Sequence, residues 1–322
     1  MPDRAAPGAE PTVATILGVA VPFFAILLCG MAAARLRLLD SAGLMGLNAF
    51  VFWFALPALL FHKVATTALE RLTDPWLYLA YEGSVMLVFA IVFVCARTLA
   101  RMDTAPAAMA AFAAGWGNVG YMGVPLLIAA YGEDAALPAV LAVVLDNLVV
   151  QSVTILLLEA GLKTQRGGLR GVARAVARNP LIIAVLLGAL VAASGLALPA
   201  AASGFLAMLG AAAAPSALFA LGATLRGTTL VRGLGLVGGL TAAKLLLLPA
   251  VAFAVATTLP LDAGLVVPVT ITAALPTAAS VFVVAQRYGV LEEPVAAVVF
   301  VSHLAGIVTL TLLLVLLPGA VP

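Results

Sequence analysis

Long apolar blocks recur along the whole chain, separated by short polar intervals, and no polar block is large enough to form a soluble domain. A membrane-spanning helix needs about 20 mainly apolar residues. On that template the pattern predicts ten spans, at roughly 12–34, 43–64, 76–99, 106–130, 136–160, 180–198, 203–225, 234–258, 263–286 and 294–318. The fold class is therefore an all-α polytopic membrane protein. The fourth block departs from the pattern: "AFAAGWGNVGYMGVPLLIAAYGED", 111–134, carries glycines, an asparagine and a proline at its middle. Spanning alone does not call for them.

Composition agrees with the pattern. Of 322 residues, 64% are hydrophobic and 9% charged, and the mean hydropathy is +1.21, outside the range of an ordinary soluble domain. The net charge of +2 points to no nucleic-acid partner, because the cations sit in short loops between spans. Cys29 and Cys95 lie inside apolar runs and read as small hydrophobes rather than a disulfide. Residues 1–11 contain acids and prolines without a basic leader, so they read as a short disordered tail rather than a cleaved signal peptide.

Loop charge predicts orientation. Loops after the odd-numbered spans hold Arg35, Arg37, Arg97, Arg101, Lys163, Arg166, Arg170, Arg174, Arg178, Arg226, Arg232 and Arg287, against Arg4 and Arg71 on the other side. Cations stay in the cytoplasm, so both termini are expected outside the cell membrane and the linker 163–179 inside.

Five spans, a linker and five more spans invite a comparison of the halves, since an odd number of spans inverts the second copy. "PALLFHKVAT" (57–66) aligns with "PSALFALGAT" (215–224), and "AAYGEDAALPAVLAVV" (129–144) with "AQRYGVLEEPVAAVVF" (285–300). Spacing agrees too: Pro57 to Asn118 is 61 positions and Pro215 to Thr277 is 62. The expected domains are repeat one, 12–162, and repeat two, 180–322. In this alignment Pro276 stands in the place of Gly117 and Thr277 in that of Asn118. Proline removes a backbone donor and glycine permits non-helical torsions, so spans four and nine should each break at the centre. Broken ends at membrane depth survive only where they line a cavity or bind something, and paired breaks offer an anion site. The candidate binding residues are Gly117, Asn118, Val119, Pro276, Thr277 and Ala278. Pro22, Pro57, Pro249 and Pro268 read as ordinary kinks.

These residues, with "ALPALLF" (55–61), "GNVGYMGVPLL" (117–127), "RNPLIIAVLLGAL" (178–190), "APSALFALGATL" (214–225), "KLLLLP" (244–249) and "AALPTAASVFVVAQRYGV" (273–290) in that order, resemble the auxin efflux carrier family. That family includes the plant PIN-FORMED carriers and bacterial permeases such as malonate carriers, and the likeness covers nearly the whole chain. It implies two inverted five-helix repeats related to the bile acid symporters. Spans one, two, six and seven would form a scaffold, and spans three to five and eight to ten a transport domain in which spans four and nine cross. It also implies elevator-like movement, an organic anion as substrate and a scaffold that often dimerises. In the plant carriers a proline precedes the first crossover asparagine; Gly117 stands there in this chain, a looser break.

Ionisable groups at bilayer depth are costly and usually functional. Glu82 in span three, Asp146 in span five and Lys244 in span eight stand out, and the resemblance places an acidic residue of the plant carriers near Glu82. Lys244 is expected to balance the substrate's charge unless it snorkels to the interface. Glu82 or Asp146 is expected to exchange a proton, although Asp146 would equally serve to join helices. His303 in span ten is deep enough to line a path, or to bond a neighbouring helix. His62 and Lys63 read as interfacial, Glu159 as a partner of Lys163, and Trp53, Trp76 and Trp116 as belt residues, with Trp116 close enough to the crossover to shape a pocket.

No nucleophile elbow, HExxH, Walker loop or cysteine cluster is present in the sequence. An enzyme, a cofactor and a metal site are therefore not expected. The expected function is a secondary carrier of small organic anions, malonate-like dicarboxylates or auxin-like monocarboxylates, working by alternating access. It would be driven by protons or the membrane potential, with a sodium symporter as the first competitor and an anion-binding membrane sensor as a competitor of another class.

Overall fold

The computed structural model describes residues 13–162, 173–174, 177–224 and 234–317. The expected tail 1–11 and most of the linker 163–179 lie outside these residues. The helices are α1 (Val13–Arg35), α2 (Ser41–Ala65), α3 (Leu69–Thr98), α4 (Thr104–Gly115), α5 (Val119–Tyr131), α6 (Glu133–Leu162), α7 (Pro180–Ser194), α8 (Ala200–Thr224), α9 (Leu234–Thr258), α10 (Ala263–Ala273), α11 (Ala279–Tyr288) and α12 (Glu292–Leu316). Among the described residues six of them, α2, α3, α6, α8, α9 and α12, are long and apolar enough to cross a membrane, and α4, α5, α7 and α10 are shorter apolar helices. The protein is thus an all-helical, polytopic membrane protein.

Local chemistry sets the helix ends. Asp40 accepts from the Gly43 N–H at 2.7 Å to start α2, Asn179 from the Leu181 N–H at 2.9 Å with Pro180 next in line to start α7, and Asp262 from the Gly264 N–H at 2.8 Å to start α10. Gly195 (φ 68°) and Gly289 (φ 66°) close α7 and α11 in the left-handed conformation that glycine adopts without strain.

Two close helix contacts organise the bundle. On α1, the α-carbon of Gly30 lies so near the carbonyl of Phe219 on α8 that a side chain there would collide with it; Gly222 of α8 meets the Leu27 carbonyl of α1 in the same way. On α7, a side chain at Gly188 would come within 2.9 Å of the Phe61 carbonyl of α2. Small residues let backbones approach in the absence of a hydrophobic drive between helices in lipid. The centre is filled by α4 and α10: Ala107–Gly115 and Pro268–Ala273 are buried throughout. The alanines of α4 allow neighbours on every side, which a leucine-rich helix of the same length would hold apart.

Five turns among the described residues widen to the i→i−5 spacing of a π-helix: Val51–Ala55, Leu79–Gly83, Val119–Gly123, Asp146–Val150 and Ala243–Leu247. Three of them sit just before Pro57, Pro125 and Pro249. A proline ring clashes with the carbonyl four residues back and donates nothing to it, and opening the preceding turn relieves both problems. The turns at Leu79–Gly83 and Asp146–Val150 have no such proline, and they carry Glu82 and Asp146. Lone π turns inside helices frequently mark functional positions.

Candidate functional site

Both interrupted blocks break where expected. The fourth separates into α4 and α5 at residues 116–118, the ninth into α10 and α11 at 274–278. The two breaks touch. The Asn118 N–H donates to the Pro276 carbonyl at 2.9 Å and the Ala278 N–H to the Trp116 carbonyl at 3.3 Å. This is a two-residue antiparallel ribbon centred on Gly117 and Thr277. The pairing sets Gly117 against Thr277, one position from the alignment of Gly117 with Pro276, because reciprocal hydrogen bonds rather than side-chain likeness choose the register.

Each break exposes a helix start and a helix end. The starts of α5, at Asn118, and of α11, at Ala278, carry no side-chain cap, so their first N–H groups have no intrahelical partner and point positive charge into the crossover. One carbonyl at each end is answered by a side chain: the Thr277 hydroxyl donates to the Ala113 carbonyl of α4 at 2.8 Å, and Lys244 Nζ to the Ala273 carbonyl of α10 at 2.8 Å. From α12, Ser302 Oγ accepts the Thr277 N–H at 3.1 Å. His303 Nδ1 lies 2.7 Å from the Val299 carbonyl, which can only accept, so Nδ1 carries the proton and Nε2 is left to accept from the Asn118 amide at 3.4 Å. Asn118, Thr277, Ser302 and His303 are all buried. Trp116 is buried as well and packs edge-on against Phe112, with ring centroids 4.9 Å apart. It is a crossover residue, not part of an interfacial belt, whereas Trp53 and Trp76 are exposed.

Behind the crossover lies a cluster of charge. Lys244 and Asp146 are each 0% exposed and Glu82 is buried. Lys244 does not snorkel. Asp146 feels the charges of both Glu82 and Lys244, and the Tyr81 hydroxyl donates to its Oδ2 at 3.3 Å. Both Glu82 oxygens and Asp146 Oδ1 have no hydrogen-bond partner among the described residues, a costly condition at this depth. A side chain at Gly117 would reach within 3.3 Å of Lys244 Nζ, so the cluster and the crossover adjoin.

All ten residues singled out in the sequence thus fall in two adjoining groups: Gly117, Asn118, Val119, Pro276, Thr277, Ala278 and His303 at the crossover, and Glu82, Asp146 and Lys244 behind it. Sequence reasoning missed Ser302 and Tyr81. A signal for Ser302 was available: carried two residues further, the alignment of 129–144 with 285–300 sets Asp146 against Ser302 and Asn147 against His303. An apolar crevice of about 500 Å³ between α3 and α9, lined by Ile91, Cys95, Leu99, Gly235 and Leu240 among others, presents no charged, hydroxyl or amide side chain.

Away from the centre, His62 Nε2 lies 2.8 Å from Ser203 Oγ, joining α2 to α8. Lys63 pairs with Asp134 at 3.4 Å and Glu133 at 3.9 Å, and Arg71 with Asp134 at 3.4 Å, tying the end of α2 and the start of α3 to the start of α6. The two acids are largely solvent-exposed, so each such pair is worth no more than about 1 kcal/mol. The buried Glu159 accepts from the Tyr288 hydroxyl at 3.3 Å; Lys163, its expected partner, lies outside the described residues.

Two broken helices thus meet at a buried ribbon within an all-helical membrane protein, an arrangement also built by the discontinuous helices of secondary transporters. Residues 15–314 match the family model for membrane transport proteins. The chain belongs to the auxin efflux carrier family. The transporter is also 35% identical over 315 residues, 96% of this chain and 98% of the relative, to a protein of Rhizobium meliloti (strain 1021) that carries the name "Putative malonate transporter". It is therefore a membrane transporter, and it works on a small molecule within a lipid bilayer.

Proposed function

We propose that the protein is a secondary carrier of small carboxylates, bound at the crossover of α4–α5 and α10–α11 and moved by alternating access. The observation that carries this reading is the meeting of two uncapped helix starts beside the Asn118 amide in a buried place. Such starts bind carboxylates through free N–H groups and positive dipole ends. The relative's name makes malonate the first substrate to test, with indole acetate as the aromatic comparison.

An inverted repeat of two five-helix halves is supported by the glycine contacts. Gly30 against the Phe219 carbonyl becomes Gly188 against the Phe61 carbonyl when positions 30 and 61 are both shifted by 158 residues, the shift that also takes Pro57 to Pro215. On this reading α1, α2, α7 and α8 are the scaffold, and α3–α6 with α9–α12 the moving, elevator-like transport domain. The Lys63–Asp134 pair crosses that boundary on the outer side and opens when the domain moves. Loop arginines put both termini outside the cell and the linker 163–179 in the cytoplasm.

The cluster holds two carboxyl groups, Glu82 and Asp146, for a single amine, with Asp146 interacting with both of the others, which leaves one carboxyl able to carry a transferable proton. We assign proton coupling to Glu82 and Asp146, and charge balance toward the substrate to Lys244. Purified protein in liposomes should accumulate labelled malonate in response to an imposed pH gradient. Asn118→Ala should weaken malonate binding by about tenfold or more, the loss of a hydrogen bond to a charged group. Binding that survives the substitution unchanged rules out the crossover site. Glu82→Gln should flatten the dependence of uptake on pH while the variant still binds malonate. A full pH profile in that variant moves the proton role to Asp146.

A further inference from the structure

We propose that the Lys244 ammonium is a built-in cation: it occupies the position at the carboxyl end of α10 where a coupling alkali ion would sit, so the carrier needs no sodium ion there. Shortening Lys244 should open a site for a monovalent cation. This rests on the reading of the crossover as a substrate site, and deepens it by naming what meets the negative end of the broken helix.

A helix that stops inside the membrane presents carbonyl oxygens and the negative end of its dipole, and water is not at hand to answer them. The half-helix ends of transporters commonly hold sodium ions or protons for this reason. Two such ends meet at this crossover, and the chain treats them differently. At the end of α4 the Ala113 carbonyl receives a neutral donor, the Thr277 hydroxyl. At the end of α10 the Ala273 carbonyl accepts from an amine, Lys244 Nζ at 2.8 Å, delivered from α9.

The surroundings suit a cation more than a mere hydrogen-bond donor. Lys244 has no exposed surface, and Asp146, equally buried, lies within electrostatic reach of it with Oδ1 left without a hydrogen-bond partner among the described residues. A carboxylate and a backbone carbonyl are the hard oxygen ligands that alkali and alkaline-earth ions prefer. An ammonium is a compact point charge of comparable kind. Gly117 completes the arrangement: its missing side chain leaves the room that Nζ and Cε take up, at 3.3 and 3.6 Å from where a β-carbon would stand. The charged group that faces it is Asp146 on α6, and Glu82 and Tyr81 on α3 lie on the far side of the cluster against Asp146. Among them Lys244 is the cation, so its removal leaves carboxyl groups and a helix end with no positive partner.

The test uses the full-length protein in detergent, in sodium, potassium or choline chloride at equal ionic strength, read by thermal unfolding and by binding of labelled malonate. Wild type should unfold at one temperature in all three salts and bind malonate equally in sodium and choline. Lys244→Ala should unfold several degrees lower in choline and be restored, saturably, by sodium or potassium. Its malonate binding should fall by about tenfold or more in choline and recover in the alkali salt. Lys244→Met, which fills the same space without charge, should lose binding in every salt. Wild type that is selectively stabilised by sodium overturns the proposal, and this comparison decides even if Lys244→Ala does not fold. Lys244→Ala that folds but ignores both alkali ions overturns it too. If no protein binds malonate yet Lys244→Ala alone gains an alkali-ion response, the substrate reading falls and the built-in cation stands.

Discussion

Asp146→Leu is expected to destabilise the folded protein by about 3–5 kcal/mol, as does the removal of one partner from a buried ion pair elsewhere. The cost arises at Lys244. Its ammonium, wholly buried on α9 and held by the Ala273 carbonyl, would keep its place without the carboxylate that answers its charge. The Tyr81 hydroxyl would lose its acceptor in the same step. The double variant Asp146→Leu/Lys244→Met removes both charges and should regain most of the lost stability, because well-packed apolar residues of similar volume replace buried pairs at little cost. Chemical unfolding in detergent would measure all three proteins. Equal destabilisation by the single and the double variant would mean that Asp146 and Lys244 act independently. Transport should be absent from the single and the double variant alike, which separates the structural part of the pair from its use.

A comparable loss, about 3 kcal/mol or more, is expected from Gly222→Leu. Most overpacked sites relax by swinging a flexible side chain aside. At Gly222 the obstacle is the Leu27 carbonyl of α1, and the reciprocal contact, Gly30 on the Phe219 carbonyl, prevents the two helices from sliding past one another. The only relief is to separate α1 from α8, which forfeits contacts along both. Gly238→Leu on α9 is the control, since a β-carbon there meets nothing within 4 Å. It should unfold within about 0.5 kcal/mol of wild type. If Gly222→Leu matches that control, the contact between α1 and α8 does not hold the bundle together.

The apolar blocks, too long and too numerous for a soluble core, marked the chain as a membrane protein. The Gly117, Asn118 and Pro276 interruptions marked which blocks break, because a proline or glycine acts on the backbone within a few residues of itself. The motif order from 55 to 290 pointed to the family. The same strictly local reasoning located the wide turns ahead of Pro57 and Pro249 only as kinks, took Pro125 as part of the interrupted fourth block, and gave no hint of the turns at Glu82 and Asp146, where no proline demands one.

What the chain determined by itself is therefore what depends on solvent and on neighbouring torsions: residence in the bilayer, the positions of the breaks, and the presence of ionisable groups too costly to be there without use. What the tertiary structure alone decided is which groups meet. Glu82, Asp146 and Lys244 are held on three different helices, and whether Lys244 would reach toward water or inward depended on the Ala273 carbonyl and on the space beside Gly117. The register of Gly117 with Thr277, and the partnership of Ser302 and His303 with the crossover, depended likewise on α12 packing against both breaks. Charge and hydrogen bonding act over a few ångströms, and no pattern within a single helix records which distant helix will supply the partner.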